Sequence, residues 1–305
     1  MPPATPFSRS RFIVNPISAA RCPGIEDLIL QESGTIGETA EIVFTADAGH
    51  AIELARKAVG DQVDLVVAVG GDGTVNEVAN GLVGSESALG ILPLGTGNAF
   101  ARAIGVPSKA AAACRMLATA KIRCIDVGRV GDRHFLSTMG VGVDAEVCRL
   151  FSGTPAGKRG FLRYAGLTAR AVRRYVPEHL TIDVDGRPWH KGTPLLATVA
   201  NTPQFGHGAT IVPDAVPDDG WLDLLFMEKQ GLLRSIWHAR RLFTGSIGRV
   251  PGTRMIRAQR IRIERQRPGV IQMDGEPIHG DAVLDVEVVP KALRVAVPAG
   301  AGSPS

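Results

Sequence analysis

The segment Gly70-Gly71-Asp72-Gly73-Thr74-Val75-Asn76-Glu77 constrains this chain more than any other. The residues before it, Leu65-Val66-Val67-Ala68-Val69, form a short apolar run rich in β-branched side chains, the pattern of a buried parallel strand. After it, Val75, Val78, Ala79 and Leu82 recur at i, i+3, i+4 and i+7, one face of an amphipathic helix. A glycine turn from strand into helix lets backbone N–H groups close on a phosphate, and the helix N-terminus favours its charge. Asp72 adds a carboxylate that a bare anion cradle would exclude. Its natural use is to hold Mg²⁺, directly or through water, against nucleotide phosphates. The same sequence also serves as a plain tight turn, so the turn alone leaves both readings open. It is not the dinucleotide fingerprint, because Asn76 stands where a third glycine is needed, and the chain has no Walker pattern.

Composition narrows the alternatives. With 305 residues the chain is long enough for two domains, and 45% hydrophobic with 21% charged residues is a globular balance. No apolar run reaches the length of a membrane span, and Met1–Arg11 lacks the apolar region of a secretory signal. Cys22, Cys114, Cys124 and Cys148 form no C-x-x-C pair, the histidines form no H-E-x-x-H, and no G-x-S-x-G elbow occurs. A cytoplasmic, reduced protein is the expectation. The net charge of +4 is unevenly spread: Lys158–Arg174 carries six basic residues and no acid, and Arg249–Arg267 carries seven arginines against one Glu. Such stretches suit an anionic partner, a membrane face above all, or are ordinary solvated surface. Few aromatics accompany the arginines, which argues against nucleic acid.

Strands and helices alternate over the first 130 residues. Strands are expected at Arg11–Asn15, Ile42–Thr45, 65–69 and Leu89–Leu94. Helices are expected at Ala51–Val59, 75–82, Ala99–Ile104 and Ser108–Ala120, the last with Ser108 as N-cap. Regular βα alternation implies a parallel sheet with helices on both faces, and ligands bind at the carboxyl ends of such strands. A second glycine turn, Gly95-Thr96-Gly97-Asn98, ends the 89–94 strand. Beyond about residue 125 short strands dominate: Ile125–Val130, His134–Gly140, Leu180–Val184, Leu195–Ala200, Leu222–Met227, Arg260–Glu264, Val283–Val289 and Ala292–Val297. Only Phe161–Tyr175 and Leu232–Phe243 read as helices there.

Gly-Gly-Asp-Gly-Thr also occurs in sugar and NAD kinases, so further segments must decide the substrate. These are Asn15-Pro16, Pro93–Asn98 with Phe100-Ala101-Arg102, Gly140–Ala145, and Met273-Asp274-Gly275-Glu276. With them, in this order, the chain resembles the diacylglycerol kinase catalytic family, which includes sphingosine and bacterial lipid kinases. The resemblance implies a Rossmann-like parallel α/β nucleotide domain over residues 1–128. An antiparallel β-sandwich acceptor domain over 129–298 follows, with a tail at 299–305. The C-terminal segment is allowed to pack back on the first domain, and the active site is expected in the interdomain cleft. The implied activity is Mg²⁺-dependent phosphorylation of a lipid hydroxyl by ATP, diacylglycerol to phosphatidic acid first. A long-chain base, or a soluble acceptor such as NAD, is the alternative.

By matching positions, Gly70, Gly71, Asp72, Gly73, Thr74, Asn76, Gly95, Thr96 and Asn98 would hold ATP, with Asn15 and Thr45 nearby. Asp72 would organise Mg²⁺ through water, Asp126 would join that network, and Glu276 would be the general base on the lipid hydroxyl. Val216, Asp219 and Trp221 match a segment that binds a second, structural Mg²⁺, and Asp144 matches a position that contacts the lipid head in some relatives. Two departures stand out: Ala19 where the family often has Gly, and Asn98-Ala99 where it usually has Asn-Asp. Leu232–Phe243, apolar with arginines, could lie at a lipid surface as a peripheral attachment, and edge strands of the β-rich half could pair two chains.

Overall fold

Strand β3 (Leu65–Gly70) is buried along its whole length in the computed structural model, as its apolar run demands. The structure describes residues 7–152, 161–206, 209–229, 241 and 245–300. The chain divides into two units, one comprising residues up to Ile125 together with those from Lys291 onward, the other Asp126–Pro290. The boundary expected at 128/129 therefore falls three residues earlier, and Asp126 opens the second unit.

The first unit runs β1 (Phe7–Val14), α1 (Pro16–Ala19), α2 (Ile25–Ile36), β2 (Gly37–Phe44), α3 (His50–Gly60), β3, α4 (Asp72–Leu82), β4 (Ala88–Pro93), α5 (Ala99–Ala103) and α6 (Ala110–Leu117). Its strands are parallel in the order β2-β1-β3-β4. The order reverses between β1 and β3, and such a switch point opens a crevice at the carboxyl ends of the strands. Helix α4 begins at Asp72, a turn earlier than the apolar spacing indicates, so the glycine turn itself is the first helical turn. Helix α6 begins at Ala110 after Lys109 with no side-chain cap, so Ser108 is not its N-cap.

Strand β5 (Lys121–Val130) leads into the second unit, which holds β6 (Arg133–Phe135), β7 (Thr138–Gly142), α7 (Val143–Ser152), α8 (Phe161–Arg174), β8 (Leu180–Val184), β9 (Arg187–Gly192) and β10 (Pro194–Ala200). There follow β11 (Gln204–Gly206), β12 (Ala209–Thr210), β13 (Leu222–Glu228), β14 (Thr253–Ala258), β15 (Arg260–Arg265), β16 (Gly269–Met273), β17 (Glu276–Gly280) and β18 (Val283–Val297). An antiparallel sheet in the order β14-β13-β10-β7-β16-β17 faces a second antiparallel set in which β15 pairs β18 and β8, and β8 pairs β9. Met139, Val199, Leu224, Phe226 and Ile271 from one side and Leu180, Ile182, Ile263 and Leu284 from the other share one buried cluster, so this is a β-sandwich.

Two strands expected at 283–289 and 292–297 are one continuous strand, β18. Its start pairs β15 in the second unit, and Arg294 and Val295 pair β4 in the first. Pro290 lies between these two registers, where its missing N–H costs neither pairing a bond. Of the helix expected at Leu232–Phe243, all but residue 241 lies outside the described residues. Among the described residues, no helix is long and apolar enough to cross a membrane.

Candidate active site

Glycine is obligatory where the two loops of the first unit meet. A Cβ on Gly95 would stand 2.6 Å from the Gly71 Cα, and one on Gly97 would stand 2.6 Å from the Asp72 Oδ2. One on Gly70 would stand 2.5 Å from the Thr74 hydroxyl. Removing these Cβ atoms lets the turns after β3 and β4 lie against each other. Gly71 occupies the N-cap of α4 with no side chain bonded to it, so the first N–H groups of that helix, from Asp72, Gly73 and Thr74, are left for an anion.

Asp72 ties the two turns together. Its Oδ1 accepts the Ala99 N–H at 2.7 Å at the start of α5. Burial pushes its carboxyl above the usual range, while the N–H groups of Ala99, Asn98 and Phe100 pull it back in part. The Asn98 side chain closes the second turn on itself, accepting from Gly95 N at 3.0 Å and donating to Gly95 O at 2.8 Å. Its backbone is left-handed at φ 50°, so Asn98 shapes the loop. Asn15 is brought to the same place: its Nδ2 donates to Thr74 Oγ1 at 3.2 Å, and its Oδ1 accepts from Ile17 and Ser18 to cap α1. Thr45 follows β2, its N–H bonded to Val14 O at 3.0 Å. Thr96 is exposed at the tip of the second turn. Asn76 lies one turn into α4, where its carbonyl and Oδ1 accept from Asn80.

Asp126 is wholly buried in the second unit. Its Oδ2 accepts the Gly220 N–H at 2.6 Å, its own N–H reaches Pro217 O at 2.7 Å, and Asn201 donates to its carbonyl at 2.9 Å. It thus anchors the 217–220 turn, the segment matched to a structural Mg²⁺. Asp219, the side-chain ligand expected for that ion, is engaged by protein groups. Asp219 accepts the Trp221 N–H at 3.0 Å with one oxygen and is paired with Arg257 through the other. The Arg257 guanidinium also lies 3.9 Å from Asp223 and 5.7 Å from the centre of the Trp221 ring. The expected metal ligand is thus paired with a half-exposed guanidinium in this structure.

Glu276 is exposed at the start of β17, directly after a two-residue turn in which Asp274 and Gly275 both have positive φ, 50° and 87°. The Asp-Gly hairpin signal is therefore correct. The Asp274 carboxylate does more than turn the chain: it accepts the N–H groups of Leu136, Ser137 and Thr138 at 2.8, 2.7 and 3.0 Å. Asp144, at the start of α7, is buried, and its Oδ2 accepts from the Thr198 hydroxyl at 2.8 Å. Burial raises its carboxyl to about 6, against hydrogen bonds from Thr198, Ala145 and Gln272 that lower it. Asp144 is thus held inside the protein by protein groups. Sequence reasoning missed Gln272, Thr198, Asn201 and Arg257, which form no local motif.

Known protein families match both halves of the chain. Residues 9–130 match the diacylglycerol kinase catalytic domain, and residues 137–297 match the YegS C-terminal NAD kinase beta sandwich-like domain. The chain is 32% identical over 270 residues to the "Probable lipid kinase YegS-like" of Pectobacterium atrosepticum, covering 86% of this chain and 87% of that one. It is 29% identical over 274 residues to the diacylglycerol kinase of Bacillus subtilis, covering 88% and 90%. A Bacillus anthracis protein provisionally assigned as a diacylglycerol kinase has the same fold, with a TM-score of 0.83 at 24% identity over 98% of each chain. The chain belongs to the YegS-like lipid kinases of the diacylglycerol kinase family.

Proposed function

We propose that this kinase transfers the γ-phosphate of ATP to the hydroxyl of diacylglycerol, with Mg²⁺, giving phosphatidic acid. The observation that carries the reading is the pair of glycine turns packed on each other around Asp72. Family membership implies ATP use. The choice of diacylglycerol leans on the Bacillus subtilis relative.

Phosphoryl transfer needs neutralised phosphate oxygens and an oriented nucleophile more than covalent help. The uncapped N–H groups of α4 would meet phosphate oxygens. Asp72 offers the carboxylate oxygen that a hard cation takes. Mg²⁺ bound there would neutralise charge on the transferring group. The exposed Glu276 carboxylate would take the hydroxyl proton as the acceptor oxygen bonds to the γ-phosphorus and the bridging bond to ADP breaks. A lipid acceptor also places the working protein at a membrane surface, as a peripheral partner.

Purified protein with labelled ATP, Mg²⁺ and mixed micelles of diacylglycerol, long-chain base and monoacylglycerol, with NAD as soluble control, tests the reading. Label in phosphatidic acid is the expected result. Label in a long-chain-base phosphate or in NADP alone would replace the acceptor, and no transfer despite ATP binding would overturn the reading.

A further inference from the structure

Gln272 is fully buried in β16, a costly place for a carboxamide unless its polar atoms are met. Its Oε1 accepts the Gly275 N–H at 3.0 Å. Its Nε2 donates to Thr138 Oγ1 at 3.2 Å and faces the Asp144 carboxylate beside Gly140. One end faces an N–H and the other a carboxylate, so only one orientation of the amide satisfies both. Asp144 is itself fixed by Thr198 at 2.8 Å and by the Ala145 N–H at 2.9 Å. The site also demands Gly140: a Cβ there would stand 1.8 Å from Asp144 Oδ2 and 3.1 Å from Gln272 Nε2.

Gln272 thus stands between a buried charge on α7 and the left-handed turn that precedes Glu276. The turn is held at two points, by Asp274 through three backbone N–H groups of 136–138 and by Gln272 through Gly275. The first bond set fixes where the turn sits; the second fixes the rotation of the Asp274–Gly275 peptide, one link before the peptide that leads into Glu276. Resting on the reading that Glu276 accepts the hydroxyl proton, we propose that Gln272 is a positioning residue for Glu276. It transmits the Asp144–Thr198 anchor to the Gly275 amide and so sets the direction in which the Glu276 carboxylate leaves the hairpin. A misplacement of about 1 Å in such a group costs on the order of 10²-fold in rate.

The test is Gln272→Met, close in volume and without polar atoms, with Gln272→Asn as a milder second variant in case the first folds poorly. Both are measured in the wild-type and Glu276→Gln backgrounds. The expected result is a fall in kcat on the order of 10²-fold with an unchanged KM for ATP. The fall disappears when Glu276 is already Gln, because the two residues act as one unit. Faster exchange of the Gly275 amide proton, followed by NMR, should accompany it. A rate loss of equal size in both backgrounds would overturn the inference, as would unchanged Gly275 exchange. A wild-type protein without lipid phosphorylation would instead overturn the functional reading beneath it.

Discussion

In the proposed reaction, the surface offered to phosphate in the first unit is backbone, whereas the carboxylate offered to the acceptor in the second unit is placed by side chains. Around Asp72 the decisive atoms are missing Cβ atoms, at Gly71, Gly95 and Gly97, and helix N–H groups left uncapped. Around Glu276 they are the side chains of Asp144, Thr198, Gln272, Thr138 and Asp274, from separate elements. Each turn of a backbone cradle lies within a few consecutive residues and tolerates no larger side chain. A side-chain relay draws on distant positions, and each member matters through its neighbours.

The contrast breaks most sharply at Glu276. Glu276→Gln keeps the hairpin, since the main chain of Glu276 pairs with Met273 and the turn is held by Asp274. Steady-state kinetics should show kcat lower by about 10²–10⁴-fold with KM for ATP unchanged. Wild-type rates in this variant would remove the carboxylate from the chemistry and leave only the backbone cradle.

The next effect is on stability. Asp144 releases its proton at about 6 in the folded protein against 3.8 for the ordinary group. The folded state therefore holds that proton more tightly than the unfolded chain, and stability falls as pH rises through this window. A shift of about two units corresponds to about 3 kcal/mol. Asp144→Asn should then raise Tm above pH 6, with the gain vanishing below pH 4, while lowering kcat because Gln272 loses a charged acceptor. Denaturation followed at pH 3.5 and 7.5 reads the first part. A variant less stable than wild type at pH 7.5 would show that the hydrogen bonds to Asp144 outweigh its desolvation.

What the sequence makes legible follows the same divide. The Gly70–Glu77 and Gly95–Asn98 turns, the parallel strands leading into them and the Asp274-Gly275 hairpin are local, and each carries a residue type that few other roles require. Helix α2 is not legible, because Gly34 and Thr35 weaken its pattern and its buried residues, Ile25, Ile29 and Ile36, are sparse. Helix α7, which begins inside the Gly140–Ala145 motif, is not among the helices expected from sequence; its buried residues include Val143, Ala145 and Val147. In the basic run at 249–267, several arginines have partners elsewhere in the fold. Arg254 stacks 4.5 Å over Trp189, Arg257 pairs with Asp219, Arg262 lies 3.5 and 3.6 Å from Glu264 and Asp285, and Arg265 is buried against the carbonyls of Arg267 and Val270. Counting charges along a chain cannot reveal which of them the fold has already spent.

The smallest effects separate one glycine from another and so sharpen the comparison further. Gly95→Ala places a methyl 2.6 Å from the Gly71 Cα, a backbone atom that cannot swing away as a side-chain tip would. Overpacking of this kind costs about 1–3 kcal/mol, and here it should also spread the two turns and raise KM for ATP. Gly34→Ala is the counterpart. Gly34 lies within α2, is exposed, has no unusual backbone and would present its new Cβ to open space. Alanine there should stabilise the protein by about 0.5–1 kcal/mol, through a less flexible unfolded chain, with ATP kinetics untouched. Chemical denaturation beside KM measurements reads both variants. Opposite signs on stability, with KM moving only for Gly95, are expected if absent Cβ atoms build the cradle. A neutral Gly95→Ala would mean that the turns can separate without cost, and the packing around Asp72 would then not be what holds the phosphate site in shape.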